Sequence, residues 1–209
     1  MNTVRNRSAR VHKGTDNVGR IALFGLLLVL TLLAAATKLI AQDVTGASRG
    51  TIRPFVGAYV PTGDQRDFLK DAVLLGAQAS WNATDIVALT ASFGWASPKD
   101  KISAGDQTLD AFQYDLGLEL RSPFTTLAGI TPFIGAGAGA RTYSYRDLNV
   151  DSKTNFDGYG ALGADVGAGP VALRVEARDY VSRFQPLTGS GSTKTRNDIA
   201  LLAGVGVRF

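Results

Sequence analysis

The chain has 209 residues, 45% of them hydrophobic, which is the size of one ordinary domain. It contains no cysteine, and this excludes a disulfide framework and thiolate metal sites. The net charge of +4 comes from residues 1–41, which hold six basic residues and one acidic residue. Of the total of 22 basic and 18 acidic residues, the rest of the chain keeps 16 and 17, so no basic surface favours nucleic acid.

Residues 1–41 have the organisation of a secretory signal peptide. A positively charged segment, 1–20, precedes an apolar core, 21–36, and a short cleavage region. We expect cleavage between Ala41 and Gln42, with cleavage after Ala36 as the alternative because Leu39 is large for its position. An uncleaved membrane helix is the other interpretation, but the apolar core is shorter than the ~20 residues that a span needs. Residues 42–50 are predicted to be a short periplasmic lead-in.

After this lead-in the sequence predicts eight β-strands and no helix. The evidence is alternation with a period of two, which gives each strand one apolar and one polar face. The last strand is the clearest: Ile199, Leu201 and Ala203 share one face, and Asp198 and Arg208 share the other. The strands are predicted at residues 51–61, 71–82, 86–96, 107–121, 130–145, 155–167, 171–184 and 196–209.

The predicted connections alternate in length. Long polar segments at 62–70, 97–106, 146–154 and 185–195 alternate with tight connections at 82–85 and 168–170 and with one of intermediate length at 122–129. An up-and-down barrel has this pattern when its two rims face different compartments. The sequence therefore predicts an all-β, antiparallel, eight-stranded barrel.

The two faces of the strands differ in charge. Leu116 and Leu118 lie on one face of the fourth strand, opposite Asp115 and Glu119, whereas the Gly- and Ala-rich first and fifth strands show no clear faces. Asp179 interrupts the apolar face of the seventh strand, which predicts a bulge or exposure to water there. The charged faces would form an interior ion-pair network of Asp115, Glu119, Arg121, Asp165, Arg174, Glu176, Arg178 and Arg208.

A soluble barrel would bury the apolar face, whereas a membrane barrel would expose it to lipid. The signal peptide and strands of ~11 residues favour the membrane. The aromatic residues also favour it, because we predict that they form two girdles, one at each rim. The girdles are assigned to Phe55, Trp81, Phe124, Phe133 and Phe209 at one rim and to Tyr59, Phe93, Trp95, Tyr143, Tyr145, Phe156 and Phe184 towards the other.

Three stretches carry a resemblance to a known family: the last strand ending at Phe209, PFIGAGAG at 132–139 and RVEARDYVSRF at 174–184. With the barrel pattern, they resemble the small eight-stranded outer-membrane barrels of the OmpA/OmpX-like superfamily, barrel domain only. The resemblance implies a monomer in the outer membrane of a Gram-negative cell envelope, in contact with its lipid. It also implies that Phe209 is an assembly signal for the barrel insertion machinery.

No catalytic, cofactor-binding or metal-binding residue is predicted. The single histidine, His12, lies in the predicted signal, whereas enzymes among the resembling barrels rely on histidine. Asp115 and Glu119 are about 13 Å apart along one strand, too far for a carboxylate dyad. The acids Asp147, Asp151 and Asp157 are spaced too loosely for a calcium loop and are expected on a solvated external loop.

Three functional hypotheses follow. The first is a structural or surface-interaction protein whose interior ion pairs plug the barrel. The second is a narrow channel or transport protein for small solutes, in which the same charges line a gated path. The third is a soluble periplasmic barrel that binds an apolar ligand.

Overall fold

The computed structural model describes residues 49–67, 69–99, 101, 107–123, 129–146, 152–167, 169–184 and 194–209. The predicted signal peptide and most of the lead-in lie outside these residues. The strands are β1 (Gly50–Pro61), β2 (Ala72–Asn82), β3 (Val87–Ala96), β4 (Leu109–Arg121), β5 (Ile130–Tyr145), β6 (Lys153–Val166), β7 (Val171–Phe184) and β8 (Lys194–Arg208), and a 3₁₀ helix, Gly63–Asp67, follows β1.

The eight strands form one closed antiparallel barrel in chain order, with β8 paired to β1. This confirms the predicted fold, and each predicted strand boundary differs from the observed one by at most two residues. From Ile199 on β8, the paired residues on successive strands can be followed once around the barrel. They return to β8 at Phe209, ten residues further along, so the shear number is 10. No helix in the described residues is long and apolar enough to cross a membrane.

The barrel has two different ends. The connections β2–β3, β4–β5 and β6–β7 lie at one end, which we call the short-turn end, together with Gly50 and Phe209. The other connections lie at the opposite end, the long-loop end. The first of them is not an open loop, because it contains the 3₁₀ helix Gly63–Asp67.

The apolar face of the strands points outward. Leu116, Leu118 and Val175 are 69%, 54% and 57% exposed, whereas Asp115 and Glu119 on the opposite face are 5% and 3% exposed. A soluble barrel that binds an apolar ligand would need the reverse arrangement, so the third hypothesis is wrong.

The assignment of the aromatic girdles was wrong in part. Phe55, Tyr59, Phe133 and Tyr143 are buried, at most 9% exposed, and point into the barrel. They belong to β1 and β5, the two strands whose faces the sequence did not show. The outward aromatic residues at the long-loop end include Phe93 and Tyr114, whose ring centroids are 5.4 Å apart, and Phe156. Trp81 and Phe209 are exposed at the short-turn end, whereas Phe124 and the side chains of Tyr145 and Phe184 lie outside the described residues.

Asp179 lies on the outer wall with an exposed side chain. Its neighbours across the ladders are Gly160 on β6 and Ile199 on β8. The register of both ladders continues without a skipped residue past this point, so there is no bulge at Asp179.

Candidate functional site

The barrel interior is densely charged and close to neutral overall. Among the described residues, six carboxylates and five arginines are buried, and the partly buried Arg121 balances the charge. Charges removed from water are stable only when they are paired, so their partners define the interior. The buried set is Asp115, Glu119, Asp157, Asp165, Glu176, Asp198, Arg53, Arg141, Arg174, Arg178 and Arg196.

A first cluster fills the half of the interior nearer the short-turn end. Arg174 on β7 donates from Nη2 to Glu119 Oε2, 2.8 Å away, and its Nε lies 3.3 Å from Asp165 Oδ1. Arg53 on β1 also approaches Asp165, with Nη2 3.4 Å from Oδ1. The side-chain oxygen of Gln78 accepts from Arg53 at 2.6 Å and from Arg174 at 2.8 Å. Arg53 therefore has partners on two other strands, and Arg174 has partners on three.

A second cluster occupies the middle of the barrel around Arg178. Its Nε donates to Glu176 Oε1 at 2.5 Å, and its Nη1 donates to Asp115 Oδ2 at 2.9 Å and Ser92 Oγ at 2.8 Å. The Tyr180 hydroxyl donates to the same Asp115 oxygen at 2.8 Å. Arg178 is among the largest fully buried side chains of the described residues. Such a side chain is stable only with this complete set of acceptors.

A third cluster lies towards the long-loop end around Arg141 on β5. Its Nη1 donates to Asp198 Oδ2 on β8, and its Nε donates to Gln113 Oε1 at 2.5 Å. Gln113 links Arg141 to Asp157, because its amide nitrogen donates to Asp157 Oδ2 at 2.9 Å. The guanidinium carbon of Arg141 also lies 5.2 Å from the ring centroid of Tyr59 on β1, within cation–π range.

Several of these contacts cross the lumen. In a barrel of eight strands, strands four apart in order lie opposite each other. Arg178 on β7 reaches Ser92 on β3, and Arg141 on β5 reaches the hydroxyl of Tyr59 on β1 at 3.4 Å. Arg174 spans nearly as far, from β7 to Gln78 on β2. Side chains therefore connect opposite walls at two heights and nearly opposite walls at a third.

Glycines on the inner wall provide room for the interior aromatic rings. A Cβ on Gly137 would lie 2.5 Å from Cε1 of Tyr159, and one on Gly163 would lie 2.5 Å from Cζ of Phe133. The Phe133 ring in turn lies 3.7 Å below the guanidinium carbon of Arg174. The Gly-rich strands β5 and β6 thus leave space that rings and arginines fill.

The structure places seven of the eight predicted site residues inside the barrel and joins them into the first two clusters. Arg121 completes these contacts by donating to Glu119 Oε2 at 3.2 Å and to Asn82 Oδ1 at 2.7 Å. The placement of Arg208 in the network was wrong. It is the last residue of β8, at the short-turn end, where its Nη1 donates to the exposed Gly169 carbonyl at 3.1 Å. Water reaches this rim, so no carboxylate is needed there.

The sequence analysis did not identify Arg53, Arg141, Arg196 and Asp198 as interior residues. For three of them a signal was present: Arg53 and Arg141 are the single charged residues of β1 and β5, and Asp198 shares the polar face of the last strand with Arg208. A lone charge in a membrane strand is expected to point inward. Asp157 was assigned to an external loop, which was wrong: it lies in β6 and is 7% exposed. Asp147 and Asp151 lie outside the described residues.

The described residues include no group of three or more His, Cys, Asp or Glu side chains that could hold a metal ion. The predicted assembly signal, Phe209, is 61% exposed, and its backbone N–H donates to the Gly50 carbonyl at 2.9 Å. Its role in assembly stays a prediction.

Comparison with known proteins decides the family. A family model described as the outer membrane protein β-barrel domain matches residues 24–209. The chain belongs to this family. No curated protein matches the chain. As a family member, the protein is located in the cell outer membrane, and its short-turn end is the periplasmic one.

Solved outer-membrane barrels share the fold of this family member. Neisserial surface protein A has a TM-score of 0.61 at 16% identity, covering 78% of this chain and 99% of that one. The N-terminal barrel domain of Pseudomonas aeruginosa OprF has a TM-score of 0.50 at 11% identity, covering 78% and 100%. The predicted resemblance to small eight-stranded outer-membrane barrels is thus confirmed.

Proposed function

We propose that the protein is a structural or surface-interaction barrel of the outer membrane whose interior is closed by ion pairs, and that it catalyses no reaction. The main support is the contact of Arg178 with both walls of the barrel. This side chain holds Glu176 on its own strand, Asp115 on β4 and Ser92 on β3. A solute could pass this height only if these contacts separated.

The size of the barrel supports closure. Eight strands leave an interior just wide enough for side chains to fill. Separating the Arg174–Glu119 or Arg178–Asp115 pair would leave buried charges without partners, which is strongly unfavourable. The interior side chains therefore connect strands to one another across the barrel. The protein's interactions with other molecules occur on its surface.

The outer wall determines the partners. Leucine, valine and isoleucine side chains such as Leu116 and Ile134, 69% and 61% exposed, contact the apolar part of outer-membrane lipid. The barrel functions as a monomer. The barrel insertion machinery is its partner during assembly and reads the strand that ends at Phe209. Nucleic acid is not a partner, and no cofactor is needed.

A narrow channel for small solutes is the second candidate. It is favoured by the continuity of polar groups through the interior, from Arg121 and Glu119 at the short-turn end to Arg141 and Gln113 near the long-loop end. In this case the ion pairs would act as a gate that exchanges partners while a solute passes. The two candidates differ in whether the folded wild-type protein carries current.

Glu176→Gln distinguishes them. The change leaves Arg178 and Arg174 with less negative charge beside them, so the closed barrel should lose stability on the order of 3 kcal/mol. Urea unfolding in lipid vesicles measures this loss, and Asp85→Asn, an exposed acid in the β2–β3 turn, is the control. We expect no single-channel current in planar bilayers for the wild type or either variant. A wild-type current that Glu176→Gln alters without a change in stability would contradict closure and support the channel.

A further inference from the structure

The connection between β1 and β2 folds back over the long-loop end of the barrel. Gly63, with a φ of +53°, begins the 3₁₀ helix and turns the chain towards the mouth, a conformation that glycine adopts without strain. Two backbone bonds continue the helical path, from Gln65 N to Thr62 O at 3.2 Å and from Leu69 N to Gln65 O at 3.0 Å. We call residues 62–67 and 69–71 the cap.

The cap inserts a polar side chain into the barrel. Gln65 is completely buried, and its Nε2 donates to the hydroxyls of Tyr59 at 2.8 Å and Tyr143 at 3.4 Å. Both hydroxyls also accept from Arg141, at 3.4 Å each. Gln65 therefore covers the outermost of the three interior clusters.

The cap also inserts an apolar side chain. Leu69 is 3% exposed and belongs to one buried apolar cluster with Leu74, Ala96, Leu109 and Ala111. These four residues face inward at the mouth, where a wide, water-filled opening would expose them. We call these four residues the seat of Leu69. Their apolar surface at the mouth of a polar barrel is explained by the Leu69 side chain that covers it.

The ends of the cap are fixed to two different parts of the rim. Both the N–H and the hydroxyl of Thr62 donate to the Asn197 carbonyl on β8, at 3.2 and 2.6 Å. On the other side, Lys70 N–H donates to the Lys99 carbonyl after β3 at 2.9 Å. The outer surface of the cap carries the exposed ion pair Arg66–Asp71, 3.2 Å. Lys101 Nζ, after β3, also donates to the Arg66 carbonyl, so the cap has a buried side, an exposed side and attachments to β8 and to the segment after β3.

We propose that the cap is a lid on the external mouth, whose opening admits water and small solutes to the inner wall beneath it. Gln65 and Leu69 hold it closed, and neither lies in a barrel strand, so it opens while the barrel stays intact. The cap is held by few contacts compared with the ladders, and such segments open locally far more often than strands do. The inference does not depend on whether the ion-paired interior below conducts.

Thiol labelling tests this inference, because the chain has no cysteine of its own. Ala111→Cys places a small thiol in the seat of Leu69, and Ala88→Cys places one on the inner wall at the short-turn end; the two alanines are 5% and 0% exposed. A positively charged, water-soluble methanethiosulfonate is the probe. With the cap intact, both thiols should react slowly in the folded protein in detergent.

Removing either anchor should open the lid. Gln65→Ala or Leu69→Ala should speed labelling of Ala111→Cys by about tenfold or more. The labelling rate follows the fraction of molecules with an open lid, and a tenfold shift of the opening equilibrium raises that fraction about tenfold. Labelling of Ala88→Cys should not change. Asp67→Ala, at an exposed position of the same 3₁₀ helix, is the matched control and should change neither rate. Heat-modifiable migration on a gel verifies that each variant is folded.

A second variant replaces residues 63–69 with a Gly/Ser segment of equal length, which removes both anchors without changing a strand. It should label at Ala111→Cys at least as fast as the single variants. The proposal is overturned if Ala111→Cys reacts rapidly with the cap intact, or if its rate is the same in all cap variants. Equal acceleration of Ala88→Cys would also overturn it, because the whole barrel and not the lid would then have loosened.

Discussion

Arginine is the residue that organises the interior. Its planar guanidinium has five donors and also stacks on aromatic rings, so one side chain can contact several strands. Arg178 contacts Glu176, Asp115 and Ser92 and lies 5.0 Å from the Tyr159 ring centroid. A lysine has three donors around one nitrogen and could not reproduce this arrangement. The interior arginines thus fix the positions of strands relative to one another.

The Arg141–Asp198 pair gives a prediction for single residues. Asp198 is fully buried and accepts from Arg141 Nη1. Asp198→Asn should lower the free energy of unfolding by about 3–5 kcal/mol, because it leaves a buried guanidinium without its counter-charge. Urea unfolding in lipid vesicles measures the change.

Asp179→Asn is the matched control for this variant. Asp179 lies next to Tyr180, the residue paired with Asp198, but it is exposed on the outer wall. We expect it to change the unfolding free energy by less than about 0.5 kcal/mol. Equal losses in the two variants would show that the Arg141–Asp198 pair contributes nothing specific.

Because apolar and polar side chains alternate along each strand, one face of the strand contacts lipid and the other faces the interior. In β4 the outward residues Leu116 and Leu118 contact lipid, and the inward residues Asp115 and Glu119 bind arginines. A slip of one residue would turn both carboxylates towards lipid. The register is therefore fixed twice, by the apolar wall and by the ion pairs.

The outer wall predicts a cost for charge that depends on depth. Leu116 lies five residues from the nearer end of β4, and Leu116→Arg should destabilise the barrel in lipid vesicles by roughly 2–4 kcal/mol. Leu120, also exposed but next to the last residue of β4, is the comparison site, where the same change should cost about 0–1 kcal/mol. Reversible folding into vesicles over a urea series gives both values. If the arginine cost were the same at both sites, the depth assigned to Leu116 would be wrong.

The whole barrel depends on closure between β1 and β8. Pro54 has no N–H, and the β1–β8 ladder is interrupted at Arg53 and Pro54. On the short-turn side of this gap the ladder has the pairs Thr51–Arg208 and Ile52–Val207, followed by the Gly50–Phe209 bonds at 2.9 Å. Phe209 therefore makes a large share of the backbone hydrogen bonds in this short segment of the β1–β8 ladder.

Deletion of Phe209 should reduce the amount of folded barrel in the outer membrane. It removes two backbone bonds from this segment and, by our proposal, the residue that the insertion machinery reads. Heat-modifiable migration of membrane fractions measures the folded amount. Phe209→Tyr keeps the backbone bonds and an aromatic ring, so it should assemble like the wild type. Unchanged assembly of the deletion would show that neither the bonds nor the ring matters.

The sequence by itself determined the number, positions and direction of the strands. Alternation is a local property, and it identified every strand to within two residues and the outward face of β4 and β7. It failed where side chains were too small to show a preference, in the Gly- and Ala-rich β1 and β5. There the buried Phe55 and Phe133 were placed on the wrong side of the wall.

Only the tertiary structure decided which interior charges meet. Arg178 and Ser92 are 86 residues apart in the chain, and Arg141 and Asp198 are 57 apart. Their contacts depend on the register of each ladder and on the shear that closes the barrel, because these set the height of every inward side chain. The seat of Leu69 under the cap has the same origin. It is formed by residues of three consecutive strands, β2, β3 and β4, whose registers place Leu74, Ala96 and Ala111 side by side.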